Sequence, residues 1–235
     1  MKKPLLLGIS LPVIFFLGCQ ESLLEEPFMD IEGEEIAALH EADGRIARII
    51  ASGSSLNDGQ RFLLLQSLYY LEARYPELEK VIEYIMGMRG PIMFKMDSSI
   101  VGDASYDSYT ISFKYEYCIE PERLLEEILH AAQDILYGYS AMQKARKNVE
   151  FEVRVFRDIL EYRACEQNHE MYKFRPRASH LDSYNAWLFC LSMRNLQNKA
   201  LESFNEWVQG WDNSEYLYTS FDLLFYPQLI PLFSF

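Results

Sequence analysis

Two acids and an imidazole stand close together in the run Leu125-Glu126-Glu127-Ile128-Leu129-His130-Ala131-Ala132-Gln133. At helical pitch Glu126 and His130 are i and i+4, so both side chains reach over the same turn and a single ion could take a ligand from each. Glu127 lies between them, where a general base acting on an ion-bound water would stand. Glu-x-x-His alone is a weak signal, because any amphipathic helix produces it. The plain alternative is a solvated helix face, on which Glu126, Glu127 and His130 carry ordinary surface charge beside Glu122 and Arg123.

The elements that must position these residues follow from periodicity. Glu120-Pro121-Glu122 opens a helix, with acids at the positive end of its dipole, and Gly138 stops it after Tyr137. Leu125, Ile128, Leu129, Ala132, Ile135 and Leu136 share one apolar face; Glu126, His130 and Gln133 lie opposite, with Glu127 and Asp134 beside them. Before it, Tyr109 to Tyr115 alternates as a strand with Tyr109, Ile111, Phe113 and Tyr115 on one face. Residues 92–96 read as a second strand, and 97–107, rich in Ser, Gly and Asp, as a loop. Helical spacing marks 34–50, 60–74, 77–88, 148–163, 179–195 and 201–211. The Ser-Gly-Asn loop at 52–59 can cap the helix that follows it, and Tyr75-Pro76 divides two helices. The apolar tail 216–235 contains Asp222, Pro227 and Pro231 and reads as a packing segment, not a span.

The strand, the helix carrying Glu127 and His130, and the acid-bearing helix beginning at Asn148 together resemble the zincin metallopeptidases, whose signature is H-E-x-x-H. The resemblance covers roughly the middle third of the chain. Glu127 matches the catalytic glutamate and His130 the second histidine, and Ala131-Ala132-Gln133 resembles the continuation in some members. Glu126 stands where the first histidine belongs. In the gluzincin branch a later helix supplies a glutamate as third metal ligand, and Glu150 in Asn148-Val149-Glu150-Phe151-Glu152 falls at a similar distance, with Glu152 as the fallback. The resemblance implies zinc or another divalent metal on Glu126, His130 and Glu150, with Glu127 as base. It also implies an edge strand before the helix, where such enzymes pair extended substrate backbone. Two carboxylates and one imidazole leave bound water less acidic than neutral imidazoles would, a poorer source of hydroxide at neutral pH. For Glu150 and Glu152 the alternative is salt-bridged surface acids near Arg154 and Arg157.

Other candidates are weaker. His40 has no partner histidine at i+4, and no local spacing recommends His169 or His180. Tyr137 and Tyr139 have hydroxyls able to stabilise an oxyanion, but tyrosine is abundant here. There is no Gly-rich phosphate loop and no Gly-x-Ser-x-Gly elbow. No Cys-x-x-Cys pair exists; Cys118, Cys165 and Cys190 are an odd set whose pairing is open, and buried inert thiols are the favoured reading.

The N-terminus is a positive Met1-Lys2-Lys3 followed by an apolar run to Gly18, the pattern of an export signal. Phe16-Leu17-Gly18-Cys19 resembles the lipobox of bacterial lipoproteins, with Phe16 where Leu is commoner. The resemblance implies cleavage before Cys19 and lipidation of its thiol. The acidic segment after it, within 19–32, resembles the surface-export signals of some outer-membrane lipoproteins. The chain carries 235 residues and a net charge of −13; loss of 1–18 takes two lysines and no acid, so the mature protein is more acidic still. That excludes a nucleic-acid footprint.

The expected organisation is a signal peptide over 1–18, a tether over 19–32 and one globular zincin-like domain over 33–235. The expected fold is α+β, mostly helical, with a small antiparallel sheet packed on the Glu126–His130 helix. The expected function is a lipid-anchored envelope protein, displayed at the outer membrane, that has lost the standard zinc set and binds a peptide or protein. The rivals are a metal-dependent peptidase with an unusual ligand set and an unrelated helical surface-binding lipoprotein.

Overall fold

Asn57 starts the first long helix by a reciprocal cap. Its side chain accepts from the Gln60 N–H at 2.9 Å, and the Gln60 side chain accepts from the Asn57 N–H at 3.1 Å, which satisfies two end donors. A computed structural model describes residues 45–167, 181–211 and 220–233, all within one compact unit. The capped helix, α1, runs Asp58–Arg74 and ends before Pro76; α2 follows at Leu78–Met88 and buries Leu78, Val81, Ile82 and Ile85, an i, i+3, i+4, i+7 stripe. Of the helix expected over 34–50, the described part is a 3-10 turn, Arg45–Ile49, that buries Ile46 and Ile49; the rest lies outside the described residues.

Three short strands form the sheet: β1 (Met93–Met96), β2 (Ala104–Asp107) and β3 (Thr110–Phe113), in the order β1-β3-β2. β1 runs parallel to β3, with Phe94 opposite Ile111, and β2 runs antiparallel to β3, with Tyr106 opposite Ile111. The sheet is therefore mixed, which corrects the antiparallel expectation. β2 falls in the segment read as loop: three of its residues are partly buried, Asp107 is exposed, and no hydrophobic alternation marks them. β3, the strand before the Glu126–His130 helix, is central and not the expected edge strand; β1 and β2 lie to either side of it. Tyr109 sits in the β2–β3 turn, where Ser108 and Tyr109 both take positive φ (46° and 73°), the backbone of a tight type I′ hairpin. Ser112, on the face read as polar, is buried, because it lies in the central strand between Lys95 of β1 and Ser105 of β2.

β3 leads through a short 3-10 turn into α3, Pro121–Tyr137, with Pro121 at its first position and Gly138 at φ 76° ending it. α3 packs against α1, α2, β2 and the helix α5 (Arg146–Gln167), while α4 (Tyr139–Lys144) turns the chain between α3 and α5. Enclosure on these sides buries both the apolar stripe of α3 and most of its polar residues.

The C-terminal third adds α6 (Leu181–Ser192), α7 (Gln197–Leu201), α8 (Phe204–Gly210) and α9 (Leu229–Phe233). The helix expected over 201–211 begins late, at Phe204, because Glu202 and Ser203 form a turn. Phe151 of α5 meets Phe204 at 5.4 Å and Trp211 at 5.5 Å between ring centroids, joining α5 to this third. The tail packs as expected, with Leu229, Ile230 and Phe233 buried. Among the described residues no helix is long and apolar enough to cross a membrane, and none of Cys118, Cys165 and Cys190 is in a disulfide. α+β and mostly helical hold as expected.

Candidate functional site

α5 places Arg146, Glu150, Arg154 and Arg157 at steps of four, four and three residues, one stripe facing α3. Opposite them α3 presents Glu126 and His130. Glu126, His130 and Glu150 converge: each offers an oxygen or nitrogen, and these atoms lie within 4.8 Å of one another. His130 Nε2 is 3.4 Å from Glu150 Oε2. Both side chains are about nine-tenths buried, which overturns the reading of a solvated face for His130 and of surface acids for Glu150 and Glu152.

The His130 ring is oriented from behind. Its Nδ1 is 2.9 Å from Gln133 Oε1, while Gln133 Nε2 donates to the Val149 carbonyl (3.0 Å) and to Glu152 Oε2 (2.8 Å). With the amide nitrogen directed that way, Oε1 is an acceptor and Nδ1 carries hydrogen, so Nε2 faces Glu150. Burial opposes charge on His130, but the neighbouring Glu150, Glu127 and Glu126 carboxylates outweigh it and hold the ring's pKa above its ordinary value. Glu150 moves the opposite way: burial raises it, and His130, Arg146 and Arg154 bring it below the usual glutamate range.

Arginines crowd the same point. Arg157 Nη1 donates to Glu126 Oε2 at 2.6 Å and Arg154 Nη2 lies 4.0 Å from Glu126 Oε1, while Arg146 Nε lies 3.8 Å from Glu150 Oε1. A tetrahedral zinc needs its ligand atoms about 3.4 Å apart. The donor types fit a divalent ion, and the His130–Glu150 spacing fits too, but an ion would share the Glu126 carboxylate with Arg157, which holds its Oε2, and would meet the charge of two further guanidinium groups.

Glu127 is buried, and burial pushes its carboxyl up to about 7; His130 lowers it, Glu126 and Glu150 raise it, and the Tyr106 backbone N–H donates to it and lowers it. The register makes that contact intelligible. Lys114 N bonds the Asp103 carbonyl, so Ser105 and Asp107 pair toward β3 while Ala104 and Tyr106 direct their backbone groups outward, toward α3. Tyr106 also donates its hydroxyl to Asp134 at 2.8 Å, and Asp134 accepts from Arg89. Tyr106 thus fastens β2 to α3 at Glu127 and again, two turns along, at Asp134.

Glu152, the fallback ligand, is fully buried and outside the convergent set. It accepts from Gln133, from the Tyr137 hydroxyl (2.8 Å) and from the Leu229 N–H (2.8 Å). Tyr137 is thereby engaged, and its oxygen also accepts the Gln228 N–H, so it is not poised for an oxyanion; Tyr139 is exposed. Sequence reasoning missed this network. The available signal was Gln133, an amide on the His130 face one turn along. Cys19, His40, His169 and His180 lie outside the described residues.

No family model matches the chain, and no curated protein or solved structure is detectably similar to it.

Proposed function

We propose that this is a lipid-anchored envelope protein, displayed at the outer membrane through Cys19, that works by binding a peptide or protein on a zincin-like scaffold without zinc-dependent catalysis. The carrying observation is that Glu126, in the place of the first histidine, is bonded to Arg157 at 2.6 Å with Arg154 beyond it. A carboxylate that metal would need is already bonded to a guanidinium. Glu127 supports the same reading: its carboxyl meets the outward amide of β2, where a base would need to face a water. A zincin ancestry accounts for the retained Glu127 and His130 and for Glu150 arriving beside them from the next long helix.

The test is a peptide mixture incubated with the full chain in detergent and excess zinc, read by mass spectrometry. No cleavage above a no-protein control is expected. Cleavage by the wild type that disappears in Glu127→Gln overturns the proposal.

The second reading, a metal-dependent peptidase with an unusual ligand set, is favoured by one observation: Glu126, His130 and Glu150 converge, with the His130 ring already oriented by Gln133. It requires metal to bind a Glu126 carboxylate whose Oε2 Arg157 already holds, through Oε1.

A further inference from the structure

A chain of hydrogen bonds connects the C-terminal segment to the ring of His130, and its bonds converge on Glu152 from both sides. The Gln228 N–H donates to the Tyr137 oxygen, and the Tyr137 hydroxyl donates to Glu152. The Leu229 N–H donates to Glu152 Oε1 and Gln133 Nε2 donates to Glu152 Oε2. Glu152 meets only donors, so both its oxygens are acceptors. The Leu229 N–H is a backbone donor and cannot be reversed, and the Tyr137 hydroxyl is held in its direction because its oxygen accepts the equally fixed Gln228 N–H. A side-chain amide can be turned over, and Glu152 and the Val149 carbonyl together prevent that at Gln133. The Gln133 oxygen is left facing His130 Nδ1 at 2.9 Å.

We infer that Gln133 and Glu152 are positioning residues that fix a hydrogen on His130 Nδ1 and turn Nε2 toward Glu150, with the segment Gln228–Leu229 anchoring the chain of bonds. Neither residue touches the point where Glu126, His130 and Glu150 converge; they act through the ring. The inference rests on the binding reading only for its functional meaning. The hydrogen's position follows from bond directions and is measured with no ligand or metal present, so the two can fail separately.

The discriminating change is Glu152→Gln. A glutamine there must place an NH2 where an acceptor stood. Set against the Leu229 N–H, that group makes a clash the backbone cannot relieve. Set against Gln133, it is relieved when Gln133 turns over, which puts an NH2 against His130 Nδ1 and removes the hydrogen there. The measurement is nitrogen-15 NMR of the imidazoles in histidine-labelled full chain in detergent micelles, with His130 assigned by its loss in His130→Gln. The wild type is expected to show Nδ1 with a bonded, slowly exchanging proton. Glu152→Gln is expected to shift Nδ1 to the unprotonated position. Gln133→Leu, which only removes the acceptor, is expected to speed exchange of that proton and shift the ring. A folded Glu152→Gln protein whose Nδ1 keeps the wild-type shift and exchange overturns the inference. Should that variant not fold, wild-type Nδ1 behaviour in Gln133→Leu overturns it equally.

Discussion

Glu126 and Arg157 are bonded across two helices, Nη1 to Oε2 at 2.6 Å, with each side chain about one-fifth exposed. This pair lies between the surface and the interior, so its worth lies between the near-zero value of exposed pairs and the several kcal/mol lost when a buried pair is broken. Arg157→Met leaves Glu126 with Arg154 and His130 as the nearby positive groups, removes the Glu122 contact as well, and is expected to destabilise the fold by about 1–2 kcal/mol. Glu126→Gln and the double variant complete a cycle whose coupling, measured by urea unfolding, should be favourable. A coupling near zero would show that the pair does not hold the helices.

How much of this was legible beforehand varies by residue. Helices α1, α2, α3 and α5 could be read from apolar periodicity and from Pro76, Pro121 and Gly138, because those signals are local. β2 could not: Ala104–Asp107 has no alternation, and its strand geometry comes from pairing with β3 and bonding to α3. The convergence of His130 with Glu150 was expected from the resemblance and is found. The partner of Glu126 was not expected. Arg154 and Arg157 stood near Glu150 and Glu152 in sequence, and only the approach of α3 and α5 assigns Arg157 to Glu126. Burial of Glu127, Gln133 and Glu152 was equally hidden, since composition cannot tell that a polar helix face will be covered.

A second electrostatic link lies away from the site. Arg74, at the end of α1, donates to Glu161 of α5 at 2.7 Å, and the Tyr75 hydroxyl donates to the other carboxylate oxygen. Burial raises Glu161, but these bonds outweigh it and hold the carboxyl below the usual glutamate range. A depressed folded-state pKa contributes stability that is full above the unfolded value and is lost as pH falls through the folded one. Glu161 is about one-third exposed, so the contribution is modest, about 1 kcal/mol or less. Glu161→Gln is expected to lower stability at neutral pH and to flatten the acid limb below about pH 4.5. Unchanged steepness there would place the acid sensitivity elsewhere.

The proposed lipid attachment at Cys19 gives a prediction independent of the fold. Cys19→Ser is expected to abolish incorporation of labelled fatty acid and to move the protein from the membrane fraction to the soluble one. Each acyl methylene in the bilayer contributes about 0.8 kcal/mol, so the shift should be nearly complete. A Cys19→Ser protein that stays in membranes and still incorporates label would rule out Cys19 as the anchor.

The metal content of the purified full chain bears most directly on the central proposal, that arginines paired with Glu126 and Glu150 keep the convergent site from holding zinc. The chain is equilibrated with excess zinc in detergent, desalted and analysed by elemental mass spectrometry beside His130→Ala and Arg157→Met. The ion-paired site should retain far less than one zinc per chain, no more than His130→Ala, with retention rising only in Arg157→Met, where Glu126 is released. One zinc per wild-type chain, lost in His130→Ala, would contradict it.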